Sequence, residues 1–438
     1  MRGLLILLSI LLFSGQVFAY DLVLPRDKKS IVTSNYAFFV GKAKNTEFIT
    51  INDEKVFVAS NGAFAHSIKL KDGENRIVVR SNFNTQVYKI QKNKPSVSAK
   101  SDFIGFEPQK YIVKKDNTPL RSTPVDYGMN RISHLFKDTV LILDGYQGDF
   151  YRVKLSKNKS AWIMKSAVEK FDCETFVPEF VNMNTERFKN ASLHTIEFTG
   201  KLPYTVDENE KEIVFKVYNP FKSEDSVYTV NIKKPEKYSY KTELCGGKYS
   251  FKVNHIPSEL TVVIDPGHGG SEKGALGCLG DKEKDITLKI ALELKEILAQ
   301  KGINVVMTRE CDANVSLDDR VKIARENCAN IFVSIHLNSI PDIKMDIHKN
   351  RGTSVYYYNP NSKSLANSVQ ESVVSAIGTR KDGVRTASFA VLRPTDYVGI
   401  LVETAYMTNP LDSVLYKSES FAKNAAQGIA EGILHFVN

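Results

Sequence analysis

The chain has 438 residues, about three times the usual size of one domain, so several domains with separate cores are expected. Its composition, 42% hydrophobic and 25% charged with 25 Gly and 15 Pro, excludes a collagen-like, disordered or polytopic membrane protein. The formal charge of +9 is unevenly distributed: residues 256–438 carry 20 Lys and Arg against 22 Asp and Glu, a net of −2, which leaves +11 for residues 1–255. Such an excess either belongs to a solvated surface or meets a polyanion. No arginine-rich helix, zinc finger or aromatic-and-basic RNA motif accompanies it, so nucleic acid is not an expected partner and a polyanionic envelope suits better.

Met1 and Arg2 form a short positive start, Leu4 to Phe13 an apolar run interrupted by Ser9, and Val17-Phe18-Ala19 a signal-peptidase-like site. Residues 1–19 are therefore expected to be an export signal. The run has about half of the ~20 apolar residues that a membrane anchor needs, and no Cys lies near the cleavage point, so no stable anchor is expected after cleavage. The five cysteines, at 173, 245, 278, 311 and 328, show no Cys-x-x-Cys spacing and are too few for a disulfide scaffold. An odd number leaves at least one unpaired unless chains are cross-linked.

Residues 30–97 read as strands at Tyr36 to Val40, Phe48 to Asn52, Val56 to Ala59, Phe64 to Leu70 and Arg76 to Arg80, with turns at Asn61-Gly62 and Asp72-Gly73. The stretch from Ile49 to Val79 resembles immunoglobulin-like modules of bacterial surface proteins, which implies a β-sandwich spacer. A polar linker at Lys92 to Lys100 follows. Residues 108–172 resemble a bacterial SH3-like barrel through Tyr111-Ile-Val, Pro119 to Pro124, Val140 to Leu143, Asp149 to Lys154 and Ala161-Trp162-Ile163. Trp162 is then either a core aromatic or a contact to a wall ligand. Residues 175–255 are β-rich, with alternation in Ile213 to Tyr218 and Val227 to Ile232, and are of no recognisable type.

From residue 258 to 438 the pattern becomes strand–helix alternation. Strands are expected at Leu260 to Ile264, Ile303 to Met307, Ile331 to Ile335, Ser354 to Tyr358 and Ile400 to Thr404. Helices are expected at Glu283 to Gln300, Leu317 to Arg325, Leu365 to Ile377 and Phe421 to Val437. Ile286, Ile290, Leu294 and Ile297 would form the buried stripe of the first helix. The fold class is thus multidomain: N-terminal all-β modules, then an α/β domain whose twisted, mostly parallel sheet is covered by helices on both faces. Ligands of such sheets bind outside the carboxyl ends of the strands.

Four polar residues fall at that edge. His268 follows the first strand, Glu283 opens the first helix, His336 ends the strand from Ile331, and Glu403 follows the apolar run Val398-Gly-Ile-Leu-Val. Singly, each has an ordinary reading as a satisfied histidine or a helix-start carboxylate. Together, two imidazoles and a carboxylate around an open position suit a catalytic zinc ion, with a further carboxylate for acid and base work.

Val263-Ile-Asp-Pro-Gly-His-Gly-Gly270, Gly274-Ala-Leu-Gly277, Glu283-Lys-Asp-Ile, Val305 to Arg309, Arg320 with Ala324, Ser334-Ile-His-Leu-Asn338, Gly352 before Val355-Tyr-Tyr, and Leu401-Val-Glu-Thr404 with Asn409 occur in order over about 180 residues. In these the chain resembles the zinc-dependent N-acetylmuramoyl-L-alanine amidases of the Asp-Pro-Gly-His-Gly-Gly type. The resemblance implies Zn²⁺ on His268, Glu283 and His336, Glu403 as the catalytic carboxylate, and hydrolysis of the amide joining N-acetylmuramic acid to the L-alanine of the stem peptide. It also implies peptidoglycan as partner, anionic wall polymers and a protein activator as further candidates, and a periplasmic, cell-wall or extracellular site of action in a bacterium. Arg393, in Val391-Leu-Arg, matches a recurring arginine of the family, either a substrate or oxyanion contact or half of a structural ion pair.

Two departures from the pattern are Glu272, where many relatives have Asp, and the polar stretch Ser339 to Arg351 with His348, expected at the surface and too short to fill a site. Nucleophile-elbow, Walker and His-Glu-x-x-His motifs are absent from the sequence. The rival readings are a zinc peptidase of the same fold acting on wall peptides, and an inactive wall-binding protein.

Overall fold

The computed structural model describes residues 20–44, 46, 48–82, 84–94, 101–173, 175–223, 226–257, 259–339, 347 and 349–438. The expected export signal, much of the Lys92 to Lys100 linker, and His348 lie outside the described residues.

Residues 20–92 form two sheets. One has the order Tyr20–Leu24, Tyr36–Ala43, Ala63–Lys69; the other has Lys29–Val32, Thr85–Lys92, Gly73–Ser81, Ile49–Ile51, Glu54–Lys55. They share a core to which Tyr20, Phe39 and Phe64 contribute from the first sheet and Ile51, Ile77, Val79 and Ile90 from the second. The sandwich thus includes Tyr20, ten residues before the expected boundary, because Tyr20–Leu24 pairs antiparallel with Tyr36–Ala43. The strand expected at Val56 to Ala59 is replaced by the pair Glu54–Lys55 and a single bridge from Val58 to Phe64. Asn52 and Asp53 both have left-handed backbones (φ 48° and 67°), so a two-residue turn reverses the chain earlier than the sequence suggested.

Residues 104–170 form a seven-stranded antiparallel sheet with the order Arg131–Leu135, Thr118–Arg121, Lys159–Met164, Phe150–Ser156, Val140–Gln147, Ile104–Val113, Val168–Lys170. Residues 180–255 add a four-stranded and a three-stranded antiparallel sheet. One continuous buried cluster joins Leu120, Leu141 and Val153 of the barrel-like sheet to Phe215, Tyr249 and Phe251 of the next segment. The Tyr204 hydroxyl donates to the His134 carbonyl at 2.9 Å across this boundary.

The C-terminal elements are β1 (Thr261–Pro266), α1 (Glu283–Gln300), β2 (Asn304–Met307), α2 (Leu317–Glu326), β3 (Ile331–Asn338), β4 (Thr353–Tyr357), α3 (Lys363–Ile377), β5 (Lys381–Thr386), β6 (Val398–Tyr406), α4 (Pro410–Tyr416) and α5 (Phe421–Val437). They form a six-stranded sheet of order β2-β1-β3-β6-β4-β5. Its pairs are parallel except β4 with β6, which is antiparallel. The exception has a simple cause. Between β5 and β6 only a 3₁₀ turn at Ala390–Leu392 is available instead of a crossover helix, so β6 starts near the edge where β5 ends.

α1, α3 and α5 cover one face, burying Ile290, Leu294, Val369, Val373, Ile429 and Ile433 against Ile264, Ile335, Ile400 and Val402. The other face carries the 3₁₀ turn and α2, with Phe332, Leu392 and Tyr397 in its core. The buried stripe of α1 is Thr287, Ile290, Ala291, Leu294 and Leu298, while Ile286 and Ile297 are only partly covered. The stripe is rotated from the expected one because small Thr287 and Ala291 let the helix lie close to the sheet. All five cysteines are free thiols.

Candidate active site

The buried run Val262-Val263-Ile264 of β1 leads into Asp265-Pro266-Gly267-His268 at the carboxyl edge of the sheet. A loop there has backbone carbonyls to satisfy, and two buried arginines supply the donors. Arg320 of α2 donates through Nη1 to Asp265 Oδ1 (2.5 Å) and Pro266 O (2.9 Å), and through Nη2 to His268 O (2.9 Å). Arg309, just past β2, donates through Nε to Pro266 O (3.0 Å) and through Nη2 to Gly267 O and Lys284 O (both 2.9 Å). Asp265 is 1% exposed and also accepts from Thr308 Oγ1 at 2.6 Å and Ser334 Oγ at 2.7 Å. The loop that carries His268 is therefore clamped before any ligand arrives, with His268 in a left-handed backbone conformation (φ 58°).

Two glycines are required for space. A Cβ on Gly267 would lie 2.2 Å from the His336 ring, and one on Gly274, whose φ is +69°, would lie 2.6 Å from Glu283 Oε2.

Glu283 is buried and stands between the two histidines. Its Oε1 lies 2.8 Å from His336 Nδ1 and accepts from Leu337 N at 3.1 Å; its Oε2 lies 3.1 Å from His268 Nε2 and accepts from Ala275 N at 2.8 Å. The imidazole centroids are 5.0 Å apart at 80°. Burial opposes the Glu283 charge, yet the contacts with His268 and His336 prevail and hold its carboxyl well below the usual range. Burial favours neutral His336, and Glu283 outweighs that by drawing its proton affinity upward.

Glu403 of β6 is the register partner of His336. Burial pushes its carboxyl up to about 8, with His336 opposing and Glu283 adding to the rise. Its Oε2 is buried with no hydrogen-bond partner among the described residues. Such a carboxyl holds a proton more readily than an exposed one.

The structure thus brings His268, Glu283, His336 and Glu403 together and leaves the other two candidates elsewhere. Arg393 donates through Nε to Ser388 Oγ (3.0 Å) and through Nη2 to Ser388 O (2.8 Å), and burial and the nearby Arg131 weaken its proton affinity. Trp162 is half-buried on the barrel-like sheet, with Phe103 edge-on at 6.1 Å. Glu272 is exposed and exchanges backbone hydrogen bonds with Gly269.

Sequence reasoning alone assigned no role to Arg309, Arg320 and Asp265. The available signal was a charged residue ending the β-branched strand Val305-Val-Met-Thr-Arg309, since a charge buried at a strand end requires a partner. Asn409 likewise ties a chain segment in place. Its Oδ1 accepts from Leu411 N at 2.9 Å to cap α4, and its Nδ2 donates to Ile347 O and Asn350 O.

Residues 262–435 match the N-acetylmuramoyl-L-alanine amidase family model. The chain is 37% identical over 177 residues to the protein YqiI of Bacillus subtilis, covering 40% of this chain and 82% of that one. It is 37% identical over 178 residues to the probable cell wall amidase LytH of Staphylococcus saprophyticus, and the match spans 40% of this chain and 57% of LytH. Among solved structures, the N-acetylmuramoyl-L-alanine amidase AmiC2 of Nostoc punctiforme is similar at 41% identity, with 41% of this chain and 97% of that chain covered and a TM-score of 0.39. With the site's residues in place and the family model matched from Val262 to His435, the chain belongs to the N-acetylmuramoyl-L-alanine amidase family of hydrolases.

Proposed function

We propose that the chain is an exported peptidoglycan hydrolase that cleaves the amide between the lactyl group of N-acetylmuramic acid and the L-alanine of the stem peptide. The carrying observation is the set His268, Glu283 and His336, whose ligand atoms lie within 4.8 Å of one another beside the half-buried Glu403. Two imidazole nitrogens and a carboxylate oxygen are the donor chemistry of a catalytic zinc site that keeps one position open. When bound, zinc supplies Lewis acidity toward the scissile carbonyl and makes water easier to deprotonate.

This chain's residues do the rest. Glu403 takes the proton of the attacking water and returns it to the leaving nitrogen, so that the C–N bond breaks to a lactyl carboxylate and a free amine. Glu283, fixed by the amides of Ala275 and Leu337, and His268, fixed through its clamped backbone, hold their donor atoms without further reorganisation. The β-modules, an immunoglobulin-like sandwich at 20–92 and an SH3-like sheet at 104–170, space the enzyme and grip the wall or its anionic polymers, Trp162 and the basic surface being the contacts.

Digesting purified wall with the chain and identifying the new amino terminus tests this. L-alanine termini and glycan strands free of peptide are expected. A different terminal residue would make the enzyme a zinc peptidase, and no new terminus would leave a wall-binding protein.

A further inference from the structure

The first sandwich does not hang free of the catalytic domain. Val40, Ala59, Ala63 and Ala65 of the sandwich share a buried cluster with Cys278 and Ile347. Asn61 Nδ2 donates to Ser413 Oγ at 3.0 Å across the same contact. Beside this seam is a cavity of about 220 Å³, lined by Leu24 and Arg26 of the sandwich and by Gly274, Ala275, Ser339 and Thr408 of the catalytic domain.

The cavity adjoins the chemistry. Its wall includes Ala275, whose amide donates to Glu283 Oε2 at 2.8 Å, and a Cβ on its neighbour Gly274 would lie 2.7 Å from His268 Cδ2. Its size is below the ~300–1,000 Å³ of a site that encloses a whole ligand, so it suits one residue of a longer substrate. Among the described residues no acidic side chain lines it. Arg26 is exposed, and among the described residues no carboxylate pairs with it.

We propose that this cavity is a peptide subsite of the amidase, in which Arg26 on the first sandwich binds a carboxylate of the peptide being cut from the glycan. The proposal rests on the amidase reading and adds to it that the N-terminal module forms part of the substrate cleft. An exposed guanidinium at the mouth of a small cavity offers two parallel donors to a carboxylate, and the buried seam at Val40 and Ala63 fixes its distance from the reacting atoms.

The test uses the full chain as wild type, Arg26→Gln and Arg26→Lys, on a soluble muramoyl peptide with free side-chain and terminal carboxylates and on the same compound with those carboxylates amidated. Arg26→Gln is expected to raise KM about tenfold on the acidic substrate with kcat within about twofold, and Arg26→Lys to recover part of the loss. On the amidated compound the wild type and both variants should agree within about twofold. An equal KM change on both substrates, or none on the acidic one, overturns the subsite. The released amino terminus separates this from failure of the amidase reading. If it is not L-alanine, calorimetric binding of the acidic peptide alone to the metal-free chain still decides: weaker binding by Arg26→Gln supports the subsite, and equal binding overturns it.

Discussion

On the barrel-like sheet, Phe106, Gln109, Tyr111, Tyr146, Tyr151 and Lys165 line an open cavity of about 230 Å³, with the Lys165 ammonium 3.8 Å from the Tyr146 ring centroid. Next to it Arg152 lies 4.1 Å over Phe103, which meets Trp162 edge-on. At the carboxyl edge of the C-terminal sheet Asp265, Glu283, Arg309 and Arg320 are instead buried, and each is held by two or more partners. The barrel's groups hold one another by stacking and cation–π contacts of about 0.5–1 kcal/mol, so the loss of one is shared among the rest. The buried edge has no such slack, because removing one member leaves its partner uncompensated away from water. On the barrel contacts are spread over a surface, and at the sheet edge they are concentrated in a few buried groups.

The sharpest way to break that contrast is at the metal set. His268→Ala and His336→Ala are expected to lose stoichiometric zinc and to slow wall digestion by about 10³-fold or more, as chelation should in the wild type. Elemental analysis alongside digestion rates checks this, and a variant with full metal and full rate would remove the residue from the set.

Glu403→Gln comes next. It should keep its zinc while turnover falls by about 10²-fold or more. Because the wild type carries a carboxyl whose buried Oε2 has no donor among the described residues, the variant should melt no lower than the wild type. Loss of metal in this variant would make Glu403 a ligand.

Arg320→Ala tests the clamp. It strands Asp265 in a buried layer and is expected to cost about 3–5 kcal/mol in denaturant unfolding, with lost activity following from the displaced loop. An unchanged midpoint would mean that Thr308 and Ser334 suffice for Asp265.

The smallest effect is expected on the barrel. The full chain should sediment with insoluble wall at low salt and be released at high salt, as the Debye length shrinks from about 10 Å at 0.1 M to about 3 Å at 1 M. Trp162→Ala should weaken sedimentation only a few-fold, by about 0.5–1.5 kcal/mol. Retention that is independent of salt and abolished by Trp162→Ala would move recognition from charge to the aromatic face.

The clustering of His268, Glu283, His336 and Glu403 was legible because they stand at ends of strands and helices whose periodicity is unmistakable: α1 and α5 begin and end where the apolar pattern does. The contacts of Arg309 and Arg320 were not legible, since a long side chain reaching backbone carbonyls about 20 to 50 positions away leaves no local pattern. The reversal of β4 against β6 was hidden for a related reason. Strand direction depends on whether a connection crosses the sheet, and apolar alternation carries no direction. The seat of the first sandwich beside Ala275 depends on small residues, Ala59, Ala63 and Ala65, whose sequence reading is simply the inside of a strand or turn.

The cluster that runs unbroken from Val113 to Val253 means that the barrel-like sheet and the segment after it are two architectures and one thermodynamic unit. Their heat-capacity peaks cannot separate, because the Phe136 and Tyr204 rings, stacked at 5.8 Å, belong to both. A protease nick or a truncation near residue 172 would therefore expose half a core on each side instead of releasing two folded modules. For this enzyme the inventory of parts that can be exchanged is shorter than the inventory of sheets.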